Sequence, residues 1–121
     1  MTIEYDHTLQ LTGTVRCILR DIARAIGVAR EDLPGKFDSR VTAKVLELTT
    51  TRTLDAWAAR PGRQELPFIK IGRSRRYLLT DVVAFIAKRH SNADMYAASA
   101  VDAVVAAEVA RLGSSFLADA A

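Results

Sequence analysis

Arg73, Arg75 and Arg76 stand within four positions of one another, with Lys70 shortly before and Ser74 among them. Guanidinium groups held so close repel each other, and a polyanionic partner relieves that repulsion while its phosphate oxygens match the planar N–H forks. A second group lies upstream, where Arg52, Ala56 and Ala59 sit on the helical face opposite Leu54, Trp57 and Ala58. The residue types for catalysis are not assembled in the same way. Cys17 is the only cysteine, so an internal disulfide and a cysteine-based zinc cluster are both excluded, and His7 and His90 have no partners at metal-ligand spacing. No nucleophile stands beside a base, and no glycine-rich loop is shaped to cradle phosphate. The expectation is a binding protein with no catalytic residues, no metal and no cofactor, and not an enzyme.

The charge distribution supports a polyanion-binding centre. The chain has 121 residues, half of them hydrophobic, which suits one ordinary domain with a real core. Its net charge is +3, but residues 36–90 hold twelve Lys and Arg against five Asp and Glu, a net +7, whereas 1–35 come to −1 and 91–121 to −3. No basic-then-apolar leader opens the chain, and the apolar stretch Ala97 to Ala110 is interrupted by Ser99, Asp102 and Glu108. The reading is a cytoplasmic protein with no membrane partner.

The elements that must position these residues follow from periodicity. After a polar opening stretch expected to fray, Val15, Ile18, Leu19, Ile22 and Ile26 recur at helical spacing, with Thr12 or Thr14 as a cap, Gly27 as the stop and Cys17 expected to be buried. Leu33, Pro34 and Gly35 form a turn. Asp38 or Ser39 caps a helix to about Leu48, the run Thr49 to Thr51 interrupts it, and a second helix spans about Thr51 to Arg60, stopped by Pro61 and Gly62. A polar loop through Arg63, Gln64 and Glu65 leads to a hairpin, Pro67 to Ile71 and Arg75 to Leu79, turning at Gly72, Arg73 and Ser74. Thr80 is the expected cap of a helix carrying Val82, Val83, Phe85 and Ile86 and ending near His90. From Ala93 an alanine-rich helix presents Ala98, Val101, Val104, Val105, Val109 and Leu112 as one seam until Gly113 and Ser114 break it. Alanine buries little area, so this helix needs a partner surface, and pairing with a second chain is the expectation slightly preferred over folding back.

In order, Leu46-Glu47-Leu48-Thr49, Arg52-Thr53-Leu54 with Trp57, Leu66-Pro67-Phe68-Ile69-Lys70-Ile71-Gly72, Arg76-Tyr77, and Asp81 through Phe85-Ile86 resemble the MerR-like winged helix-turn-helix of phage and plasmid excisionases and small regulators. The resemblance, which covers under half the chain, implies a winged helix-turn-helix, and with the flanking helices read from periodicity the expected fold is mainly α with a small β-hairpin wing and extra N- and C-terminal helices. The chain then divides into an N-terminal arm and amphipathic helix (1–36), a DNA-binding unit (37–90) and an alanine-rich C-terminal helix, a candidate for self-association (91–121). It implies that Thr50, Thr51, Arg52, Asp55, Ala56 and Arg60 face the major groove of double-stranded DNA, while Lys70, Arg73, Ser74, Arg75 and Arg76 form a wing on backbone or minor groove. Asp55 places a carboxylate where the family more often has a basic or aromatic residue. It can accept from cytosine or orient a neighbouring arginine. Trp57, Leu54, Phe68, Tyr77 and Phe85 are assigned to the core, and Lys36, Arg40, Lys44, Lys88 and Arg89 read equally as solvated charges.

The implied function is sequence-selective DNA binding, in transcriptional regulation or in setting the direction of site-specific recombination. The implied partners are a second copy or a cooperative oligomer on DNA, and an integrase or RNA polymerase, which places the protein with the nucleoid. The competing expectation is a protein-interaction adaptor that keeps the fold without binding DNA, suggested by Asp55 and the long apolar C-terminal helix.

Overall fold

The structure is a computed structural model that describes the backbone of residues 2–60, 66–89 and 97–120, and the side chains among these from 9 to 112. Helix α1 spans Thr2–Ile26, so the expected frayed start is helical. Thr14 is no cap, because its hydroxyl donates back to the carbonyl of Gln10 at 3.0 Å, a bond of helix interiors. Leu11, Val15, Ile18, Leu19, Ile22 and Ala23 are buried along one side, while Cys17 falls on the other and is exposed, contrary to expectation. The helix stops at Gly27, whose φ of 77° is open to a residue without Cβ. There the Gly27 N–H donates to Arg24 (3.3 Å) and the Val28 N–H to Ala23 (3.0 Å), satisfying two terminal carbonyls.

A 3-10 turn at Arg30–Asp32 leads to a two-residue strand the sequence did not announce, β1 (Lys36–Phe37). Helix α2 (Ser39–Val45) begins as expected at Asp38, whose carboxylate accepts the Val41 N–H at 2.8 Å. Thr42 is fully buried because its hydroxyl donates to the Asp38 carbonyl at 2.7 Å. The helix ends with the same paired bonds as α1, Glu47 N–H to Lys44 (3.1 Å) and Leu48 N–H to Ala43 (2.8 Å). Here the left-handed position belongs to a glutamate, with φ of 60°.

A Cβ in that conformation costs about 1–2 kcal/mol, and glycine's extra unfolded-state freedom gives back part of the difference. Glu47→Gly is therefore expected to stabilise the protein by roughly 0.5–1 kcal/mol, read as a higher urea midpoint at unchanged m-value.

Helix α3 is Arg52–Ala58, shorter at both ends than expected. Thr51 occupies its N-cap without a side-chain bond, and the Thr50 hydroxyl instead accepts the Arg52 N–H at 3.2 Å. The expected stop at Pro61 and Gly62, the loop through Arg63 to Glu65, His90 and the start of the last helix at Ala93 lie outside the described residues. Strands β2 (Ile69–Ile71) and β3 (Ser74–Leu78) form the expected hairpin, and β3 also pairs with β1, giving an antiparallel sheet in the order β1-β3-β2. Helix α4 (Leu79–Lys88) follows β3 directly from an extended Leu78, so Thr80 lies inside it and does not cap it. The Leu79 N–H goes to the carbonyl of Gly35 at 2.9 Å, which ties the start of α4 to the turn before β1.

Helix α5 (Ala98–Ala120) continues through Gly113 and Ser114, where a break was expected, since one interior glycine costs only about 1 kcal/mol beside a run of alanines. It folds back on α1 and α4. Val101 and Val105 are buried there, Val104, Val109 and Leu112 are partly buried, and Ala98 remains exposed. The seam that suggested a second chain is thus largely occupied within the molecule. The buried residues of α1, β1, α2, α3, β3, α4 and α5 join in one core, so the architecture is mainly helical with a small three-stranded antiparallel sheet. Among the described residues no helix is long and apolar enough to cross a membrane.

Two carboxylates carry α5 to its neighbours. Glu108 accepts from Arg16 of α1 at 2.7 Å and from its own Arg111 at 3.5 Å, and Asp102 meets Lys88 of α4 at 2.9 Å. Burial raises the Glu108 pKa, but the hydrogen bond and charge of Arg16, with Arg111, outweigh it and hold the carboxyl below its ordinary value. A carboxyl lowered on folding stabilises the fold above its unfolded pKa, and this is lost as pH falls through the folded one. The thermal midpoint is therefore expected to drop on acidification below about pH 4, and Glu108→Gln to flatten that drop while lowering the midpoint at neutral pH.

Candidate nucleic-acid interface

Seven residues are too few for a helix to stand alone in water, so α3 exists because its inner face is anchored. Leu54 is 1% exposed, and the ring of Trp57 lies 5.4 Å from that of Phe85 on α4. With Leu54, Trp57 and Ala58 turned inward, helical spacing leaves Arg52, Asp55 and Ala56 together on the outside, and Arg60 follows them past the C-cap. All four are exposed, as is Thr50, while Thr51 is half-buried.

The hairpin is built with equal economy. Ile71 pairs with Ser74, leaving Gly72 and Arg73 as a two-residue loop, and the φ of 64° at Gly72 suits the turn types that match strand twist. Arg73 therefore stands exposed at the tip, with Ser74 and Lys70 exposed on either side. Opposite residues of a ladder share a face, so Ile69 and Ile71 lie with Arg76 and Ser74 on one side, and Lys70 with Arg75 on the other. The second face also carries Tyr77, whose ring is 6.0 Å from that of Phe68. Burial, countered by the charge of Arg75 and a hydrogen bond with Ser39, raises the Tyr77 hydroxyl above its ordinary pKa.

Arg75 is not the free wing contact expected of it. Its guanidinium turns to α3, donating to the Leu54 carbonyl at 3.1 Å and to Asp55 Oδ1, and lies 5.8 Å from the centre of the Phe68 ring. The cluster also has a second neighbour. A cleft of about 360 Å³ separates the hairpin from the start of α2, lined by Arg73, Ser74, Arg75 and Arg76 on one side and by Asp38, Ser39 and Arg40 on the other. Arg40, read from sequence as an equal candidate for a solvated charge, thereby joins the cluster. Nothing local in the sequence announces this, since the approach depends on β1 pairing with β3.

The electrostatics of the surface follow from who is paired. Asp55 is the partner of Arg75, whereas Asp38, a helix cap, keeps its charge at the edge of the cleft. Arg76 donates to the carbonyl of Arg75 at 3.2 Å, which fixes its direction without neutralising it. Among the described residues, the side chains of Arg40, Arg52 and Arg73 have neither a hydrogen-bond nor an ion-pair partner. Also among the described residues, no three His, Cys, Asp or Glu side chains gather as a metal ion would require. The unpaired cations are thus distributed over the hairpin tip (Arg73), the cleft (Arg40) and α3 (Arg52).

Compared with family models, with curated proteins and with solved structures, the chain matches none.

Proposed function

We propose that this protein binds double-stranded DNA through a winged helix-turn-helix, with α2, α3 and α4 as its helices and β2–β3 as its wing. In this reading α3 enters the major groove with Arg52, Asp55, Ala56 and Arg60 toward the bases. Arg73 and Arg76, with Arg40 across the cleft, meet the phosphates or the minor groove beside it. The observation that carries the reading is the gathering of Arg40, Arg73 and Arg76 around one cleft, where they outnumber its one carboxylate, Asp38, while the fourth arginine of the lining, Arg75, reaches Asp55 on the exposed face of α3. Clustered unpaired cations raise the self-energy of a protein, and a string of phosphates at regular spacing removes that cost.

Transcriptional regulation and excisionase-like control of recombination use the same contacts, so both belong to this proposal. A footprint over a promoter supports the first, with RNA polymerase as partner, and an array of sites beside an attachment site supports the second, with integrase and cooperative copies. The adaptor reading has lost its two motives. Asp55 is accounted for by Arg75, and the seam of α5 by α1 and α4.

The test is a titration of a fluorescent random-sequence duplex at several salt concentrations. A log–log slope of about −3 or steeper is expected, at roughly 0.9 per phosphate neutralised. A slope near zero with no binding at 50 mM salt sinks the proposal.

A further inference from the structure

We infer that Asp55 is a base-reading acceptor on α3 and that Arg75 is the residue that positions it, so that the pair takes an exocyclic amino group on the major-groove edge, best matched by cytosine N4. This rests on α3 lying in the major groove, as proposed above.

A carboxylate on a DNA-facing helix repels every phosphate around it, so its presence needs an account. Asp55 is 57% exposed at its side chain although Oδ1 is engaged, and its partner Arg75 is only 16% exposed. Arg75 is fixed by its bond to the Leu54 carbonyl and by the Phe68 ring beneath it, so the carboxylate it holds is fixed as well. A solvated aspartate samples several rotamers. This one presents its remaining acceptor positions from a set place on the helix.

Arg75 also supplies the local positive charge that lets a carboxylate sit near phosphates, and Asp55 in turn relieves the repulsion between Arg75 and Lys70, which face each other across the ladder. An ionised carboxylate only accepts hydrogen bonds. On the major-groove edge guanine offers N7 and O6 and thymine O4, all acceptors that would oppose it, while cytosine N4 and adenine N6 donate. Adenine places its N7 acceptor beside the amino group, against the second oxygen. Cytosine has no such neighbour. The same geometry removes Arg75 from the set of phosphate contacts, although sequence places it with Arg73 and Arg76.

The experiment selects binders from a randomised duplex library with the full chain, then measures salt titrations on the selected site. The wild type is expected to select cytosine at one position. Asp55→Asn should move that position to adenine, whose N6 and N7 an amide can bridge, and Asp55→Ala should leave it indifferent, with discrimination falling about 10-fold. Arg75→Met keeps an apolar stem over Phe68 but loses both polar ties. It should weaken the cytosine preference at the same position while keeping the wild-type salt slope, whereas Arg73→Ala should make the slope shallower by about 0.9. Asp55→Asn is isosteric and exposed, so it decides the question even if Arg75→Met folds poorly. A site in which every position ignores both Asp55 variants overturns this inference alone, as does a slope that Arg75→Met and Arg73→Ala reduce alike. A wild type that binds no duplex overturns the DNA reading and this inference with it.

Discussion

With Arg40, Arg73 and Arg76 all replaced by alanine, the salt dependence of DNA binding is expected to become shallower by about 2.7 in log–log slope, about 0.9 for each phosphate no longer neutralised. Between 50 and 200 mM salt the wild type should then lose roughly 40-fold more affinity than the variant. The three side chains come from two elements and line one cleft, so their effects should add only if a single backbone path runs through it. Stability provides the control. Removing clustered like charges relieves repulsion, so the thermal midpoint should hold or rise slightly. Fluorescence anisotropy against salt, with thermal unfolding alongside, reads both. An unchanged slope in the triple variant would mean that the cleft is not where the polyanion lies.

Leu54→Ala is expected to act in the opposite way, costing about 2–5 kcal/mol of stability because it empties a fully enclosed site. The loss should concentrate on α3, which is too short to persist without that anchor. Arg75 would be disturbed too, since it holds the carbonyl of this same residue. Urea unfolding should show a lower midpoint, and DNA binding, if retained, should lose discrimination between sequences before it loses its salt slope. A variant of wild-type stability would show that α3 is held from elsewhere.

Much of the fold is legible in the residue order alone. Helical spacing places Val15 through Ile22 and Val82 with Val83 inside, the Asp38 cap and the Gly27 stop are both found, and the hairpin follows from two apolar runs around Gly72. The misses share a cause. Thr12, Thr14 and Thr80 resemble caps by type, but a hydroxyl caps only where the backbone leaves an N–H free, and α1 continues through Thr14 while α4 starts directly from β3. Gly113 resembles a breaker, yet its cost is small against a long alanine-rich helix. β1 escapes notice because two residues carry no periodicity, and with it goes the approach of Arg40 to the hairpin. The role of Arg75 is half visible. Asp55 invites a neighbouring arginine, but which one is a matter of ladder register, since Arg75 shares its face with Tyr77 while Arg76 points the other way.

The docking of α5 against α1 has a further consequence. Arg16 and Glu108 stand 92 positions apart in the chain yet bond at 2.7 Å, so the two helices meet only when everything between them is closed into a loop. Closing a loop of that length carries an entropy cost that must be met before the contact rewards it. The α1–α5 contact is therefore expected to form late in folding, once the middle of the chain is in place.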